Sequence, residues 1–127
     1  MNSGRCHCQS VKFSFKTNEN SFSFICHCND CNKINGGGHL TALTVKLEDF
    51  SSSGKLSIYS YPGGSGENIN SHFCPKCGTP IYASLKAHPE VIVLRANAID
   101  DSSDFKPQKS LYPEQAHSWD ITTIIQK

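Results

Sequence analysis

No apolar run in this chain approaches the length that crosses a bilayer, so no membrane-spanning helix is expected. The first residues, Met1 to Cys8, hold no apolar stretch of the secretory kind, and a cytoplasmic protein is expected. A block of like charge is missing too. The 12 basic and 11 acidic residues are spread along the chain and give a formal net charge of +1. Without a basic stripe, nucleic acid has no electrostatic footprint to bind. Gly63-Gly64-Ser65-Gly66 lacks the Lys-Ser/Thr of a phosphate-cradling loop and reads as a turn. No Ser/His/Asp triad and no clear carboxylate pair can be argued. There is no long 3.6-residue apolar period, no internal repeat and no linker. One domain over residues 1–127 is therefore expected, and not a helical one.

What the chain does contain is short alternation. Val11 to Phe15, Phe22 to Ile25 and Lys55 to Tyr61 alternate apolar with polar residues, as half-buried strands do. His39 to Leu47, Ile69 to Phe73, Pro80 to Leu85 and Glu90 to Ala96 are rich in strand formers, and Ile121 to Ile125 suggests a last strand or short helix. Gly and Pro turns separate them. Asn32 to Gly38, Glu48 to Gly54 and Ala98 to Phe105 read as loops, and Lys106 to Trp119 as irregular. The pattern predicts a mostly-β fold, a sandwich or curled sheet.

Cysteine is the residue in excess. There are seven, an odd count that fits a closed disulfide set poorly. In a reducing compartment, clustered thiols point to metal or catalysis. They fall into C-x-C (Cys6, Cys8), C-x-C-x-x-C (Cys26, Cys28, Cys31) and C-x-x-C (Cys74, Cys77). Pairing Cys28/Cys31 with Cys74/Cys77 as a zinc ribbon leaves Cys6, Cys8 and Cys26 without a role. The preferred partition makes Cys6, Cys8, Cys74 and Cys77 a closed four-thiolate site. It leaves Cys26, Cys28 and Cys31 as an open one, since structural zinc is four-coordinate and catalytic zinc keeps a free position. His27, His39 and His72 are candidate fourth ligands for the trio, and any of them would close it. Gly36 to Gly38 could admit a ligand's backbone, and Lys33 could meet a carboxylate. Trp119 and the phenylalanines are expected in the core.

The ordered motifs Gly4-x-Cys6-x-Cys8, Cys26-His27-Cys28-x-x-Cys31 and Phe73-Cys74-x-x-Cys77-Gly78-Thr79 resemble the glutathione-dependent formaldehyde-activating enzyme family, which includes centromere protein V-like proteins. Ser53-Gly54-Lys55-Leu56, Ile99-Asp100-Asp101, Lys106-Pro107 and Trp119 sit where that family has similar elements. The resemblance implies an Mss4-like fold, mostly β and wrapped around zinc. It implies two zinc ions per chain, a structural one on Cys6, Cys8, Cys74 and Cys77 and a catalytic one on Cys26, Cys28 and Cys31. It also implies a carbon–sulfur lyase that joins glutathione to formaldehyde as S-(hydroxymethyl)glutathione.

The chemistry of three thiolates agrees with that activity. Zinc held by three thiolates is net negative and a weak activator of water. It suits a substrate thiol bound as thiolate, which stays nucleophilic at neutral pH, where a free thiol of pKa about 8.5 is mostly protonated. The expected reaction joins glutathione or a similar thiol to a small aldehyde through such a zinc-bound thiolate. The alternatives are a non-catalytic, zinc-stabilised binding module and a redox or metal-handling protein.

Overall fold

The computed structural model describes residues 1–121. The fold is mostly β, as the alternation predicts. A small antiparallel sheet is built from β1 (Asn2–Arg5), β2 (Lys12–Phe15) and β5 (Phe50–Ser53), in the order β1-β2-β5. A larger sheet holds β3 (Ser23–Cys26), β4 (Leu40–Lys46), β6 (Ser57–Pro62), β7 (Asn68–Phe73), β8 (Pro80–Leu85), β9 (His88–Arg95) and β10 (Lys109–Leu111). Its order is β10-β3-β4-β9-β8-β7-β6, and only the β10–β3 pairing is parallel. Helix α1 (Asn29–Asn35) lies against β4.

The two faces of the large sheet carry two cores. In β2, Phe13 and Phe15 alternate with Lys12 and Ser14, so one side of the small sheet is apolar. That side packs on Leu43, Val45, Ile92 and Leu94, and the same cluster takes in Cys6 and Cys74. The opposite face packs Phe24, Cys26, Leu40, Ala42, Ala83 and Val93 together, with Cys28 and Cys31 against them. One cysteine cluster is thus rooted in each core. Gly4 keeps the small sheet tight, because a Cβ there would overlap the Phe13 ring and the Ala98 carbonyl.

Several expectations need correction. The glycines Gly36 to Gly38 do form a turn, but the residues before them are helical, because α1 runs from Asn29 to Asn35. Cys28 caps this helix, its sulfur accepting from the Cys31 amide at 3.4 Å. Asn32 then ties the helix back by donating to the His27 carbonyl at 2.7 Å. Seven residues held by caps rather than by an apolar stripe leave no 3.6-residue signal. The segment from Glu48 to Gly54 contains β5, and the irregular segment after Lys106 contains β10. Trp119 is 64% exposed and stacks on His117 with ring centroids 4.5 Å apart, so it is not a core residue. The element expected at Ile121 to Ile125 lies, beyond Ile121, outside the described residues.

Candidate metal centres

Two knuckles build the four-cysteine cluster. The first joins β1 to β2, where the Cys6 amide donates to the Val11 carbonyl at 3.0 Å and the Gln9 amide to the Cys6 carbonyl at 3.0 Å. The second joins β7 to β8, where the Gly78 amide donates to the Cys74 carbonyl at 2.8 Å. Gly78 has φ +80°, which suits glycine after a C-x-x-C. One sulfur from each of Cys6, Cys8, Cys74 and Cys77 lies within 4.8 Å of the others. Cys6 to Cys8 is 3.6 Å and Cys8 to Cys74 is 3.7 Å. Four bonds of about 2.3 Å in a tetrahedron separate sulfurs by about 3.8 Å, so this donor set fits zinc.

Hydrogen-bond donors surround these sulfurs. The Val11 amide meets Cys6 at 3.3 Å and the Lys76 amide meets Cys74 at 3.4 Å. The Ser10 hydroxyl stands 3.1 Å from Cys8 and 3.3 Å from Cys74, and the Thr79 hydroxyl 3.2 Å from Cys77. Donors of this kind favour thiolate. Thr79 is the main reason that Cys77 is pushed down to about 5, and Ser10 the main reason that Cys74 is lowered.

The trio is assembled where β3 ends and α1 begins. Cys26 is the last residue of β3, Cys28 the cap of α1 and Cys31 in its first turn. Their sulfurs also lie within 4.8 Å of one another, and no histidine joins them in that donor group. His27 and His39 turn instead to Asp120, with His39 Nδ1 2.8 Å from the carboxylate. His72 bonds the Ser84 hydroxyl at 2.9 Å and stacks on Tyr82. Among the described residues the three-thiol donor set fits zinc with one position left open.

The trio's electrostatics differ from the clamp's. The Cys31 thiol bonds Cys26 and pushes its pKa down to about 6, with Cys28 and Arg95 adding to the effect. The same bond drives Cys31 far above the ordinary thiol range, and burial raises Cys28. One sulfur thus carries charge while its neighbours hold the protons.

Two residues that sequence reasoning missed belong to this site. Arg95 closes β9. Ala42 pairs with both Arg95 and Phe24, so Phe24, Cys26, Ala42 and Arg95 share one face of the sheet. Its side chain is buried and its Nε has no hydrogen-bond partner among the described residues. Burial lowers its pKa, while Cys31, Tyr61 and Cys26 act to hold the charge on. Tyr61 pairs with Ile69, which packs on the same core. Burial and then Cys31 push the Tyr61 hydroxyl up to about 12, so it keeps its proton. A strand-ending arginine gives no sequence signal of burial, and a tyrosine in an alternating strand reads as ordinary.

Other candidates lie elsewhere. Lys33 sits in the last turn of α1. Asp100 pairs with Arg5 at 3.1 Å and with the Ser3 hydroxyl. A cavity of about 550 Å³ beside Lys46, Leu47, Glu48, Glu90 and Val91 lies at the opposite end of β4 from Leu40, the partner of Cys26. After α1, Gly36, Gly37 and Gly38 all take φ between +70° and +93°, a run that side chains rarely adopt.

Residues 1–115 match the protein family described as glutathione-dependent formaldehyde-activating enzyme. The fold is similar to that of a Rhodobacter sphaeroides protein known from a crystal structure, with a TM-score of 0.65 and 20% identity. That likeness covers 85% of this chain and 98% of the other, and at such identity it speaks for the fold alone. No curated protein matches the chain. Among the described residues, no helix is long and apolar enough to cross a membrane.

Proposed function

Because the chain belongs to the glutathione-dependent formaldehyde-activating enzyme family, we propose that it is a zinc-dependent carbon–sulfur lyase joining glutathione, or a similar thiol, to formaldehyde or another small aldehyde. In this reading residues 1–127 act as one zinc domain with two zinc ions. Cys6, Cys8, Cys74 and Cys77 hold the structural ion, and Cys26, Cys28 and Cys31 the catalytic one. The single observation that carries the reading is that three thiols converge, with no fourth protein donor among the described residues, beside a buried guanidinium. Seven free cysteines suit a reducing compartment such as the cytoplasm.

Bound at the trio, zinc would supply a position at which a thiol is held as its thiolate at neutral pH. In the overall reaction the thiol gives up its proton and a carbon–sulfur bond forms at the carbonyl carbon. The carbonyl π pair becomes a hydroxyl on taking up a proton. The protein's own groups prepare for this. Arg95 offsets the negative charge of the sulfurs. Tyr61, neutral at working pH, is a hydroxyl donor for the oxygen that gains the proton. The glycine run beside α1 leaves backbone free to approach the peptide of the thiol.

The test is exchange between glutathione, formaldehyde and S-(hydroxymethyl)glutathione, followed by NMR against the uncatalysed background. The wild-type protein is expected to accelerate it and Cys28→Ser to return it to background with the fold intact. Turnover surviving in Cys28→Ser sinks the reading. Zinc content measured with and without glutathione separates the alternatives. A second, thiol-sensitive ion belongs to an enzyme, whereas a single indifferent ion belongs to a binding module or a redox protein.

A further inference from the structure

Next to the trio, three further metal-type donors converge on one point. His27 lies between two of the trio's cysteines in sequence, yet its ring turns away from them toward Asp120. The His27 side chain is fully buried and that of Asp120 is 3% exposed. His39, just before β4, is 17% exposed at its side chain. One donor atom from each of the three lies within 4.8 Å of the others. We propose that His27, His39 and Asp120 form a third metal site, free of thiolate, for a divalent cation of the zinc class.

Three observations support it. The first is the state of His27. Both its ring nitrogens are buried, and neither makes a hydrogen bond among the described residues. Its Nδ1 stands 3.3 Å from Asp120 Oδ2, but the oxygen lies off the line that an N–H would take. Two bonds of about 2.0–2.1 Å meeting at a tetrahedral angle separate their donor atoms by about 3.3–3.4 Å. A shared cation therefore explains a spacing that a hydrogen bond does not. His39 Nδ1, at 2.8 Å from the same oxygen, is at hydrogen-bond length and would draw back by about half an ångström around an ion.

The second observation is the donor chemistry. Two imidazoles and one carboxylate make a set that zinc and its borderline neighbours accept. Neutral imidazoles leave the loaded site with a net positive charge, opposite in sign to a zinc on three thiolates. The third is how the carboxylate arrives. The segment His117 to Asp120 packs on Gly38, where a Cβ would stand 3.0 Å from Trp119 Cζ3 and 3.2 Å from Asp120 Oδ2. The glycine lets a residue 81 positions beyond His39 reach its imidazole.

The test is cobalt substitution of the full-length protein, produced with cobalt in place of zinc, with the wild type compared against Asp120→Asn and His39→Gln. Total cobalt is counted, and sulfur-to-cobalt charge-transfer absorption reports the two cysteine sites separately. The expected result is one cobalt per chain fewer in each variant, with the charge-transfer intensity unchanged. An unchanged count in either variant means a plain imidazole–carboxylate contact and overturns the proposal. A lost ion accompanied by lost charge-transfer intensity assigns that ion to the cysteines and overturns it equally. The outcome does not depend on the formaldehyde reaction, because neither arm measures turnover.

Discussion

The two cysteine clusters are built from the same atom type and differ in almost everything that surrounds it. The clamp is made by two β-knuckles 66 residues apart in sequence, and it binds the chain's start to its middle. Its sulfurs meet amides and hydroxyls, with Cys6 and Cys74 buried. The trio comes from six consecutive residues at one strand–helix junction, with a guanidinium on the same sheet face. The clamp is closed by long-range folding and stabilised by local dipoles. The trio is closed by local folding and balanced by a distant charge. Closure across the chain is what a structural ion needs, and an open local cup is what a substrate needs.

The largest way to break this comparison is to remove one sulfur from each side. Structural zinc in small domains is worth about 10–16 kcal/mol, as much as or more than the roughly 5–15 kcal/mol by which a domain is folded. Cys74→Ser is therefore expected to abolish the cooperative thermal transition seen by circular dichroism. Cys28→Ser is expected to move the midpoint by no more than about 4 °C, the shift of roughly 1 kcal/mol in a domain of this size, while losing all turnover. A cooperative melt in Cys74→Ser, or an unfolded Cys28→Ser, would reverse the roles of the two clusters.

The grouping of the seven cysteines into these two clusters is legible in the order of the residues alone, and the reason is physical. Thiol spacing is a local property, and C-x-C and C-x-x-C constrain where sulfurs can point. The strands are legible for the same local reason, since Phe13 and Phe15 or Leu40 and Ala42 declare a face by alternation. What escapes is set by distance or by caps. Helix α1 depends on Cys28 as its cap and on Asn32 reaching back to His27, neither of which is an apolar period. Asp120 has partners 81 residues upstream and further, and nothing in Ser118-Trp119-Asp120 announces a buried carboxylate. Arg95 follows four apolar residues and looks like a solvated strand end, but the sheet continues over it.

Arg95 gives the next prediction, sharper because it touches one cluster only. A cation facing the sulfurs offsets part of the charge that a three-thiolate site accumulates, and partners around a metal site are worth about 10–100-fold in affinity. Arg95→Met is expected to weaken zinc at the trio by that factor, measured by competition with a chromophoric chelator. The clamp's affinity is expected to stay within twofold of the wild type. Arg95→Lys keeps the charge and should recover most of the loss. Equal weakening at both clusters would mean that the substitution acts through the fold, and that Arg95 is not the trio's counter-charge.

The smallest expected effect is a difference in acid release. Metal and protons compete for the same sulfurs, so every proton that must leave before loading makes the site more sensitive to pH. In the clamp, Cys8 is raised, but Cys77 is pushed down to about 5 and Cys74 is lowered as well, so two of its thiolates survive mild acid. In the trio only Cys26 is pushed down, to about 6, while Cys28 and Cys31 are raised and hold their protons at neutral pH. Two protons must therefore be displaced to load the trio, and falling pH restores them first. With the cobalt-loaded protein taken from neutral to acid pH, the trio's charge-transfer band is expected to disappear about one pH unit above the clamp's. The slope of the clamp's transition should be the steeper, since four thiolates take up more protons per ion released than three. Coincident transitions would show that the hydroxyls of Ser10 and Thr79 do not set the clamp apart.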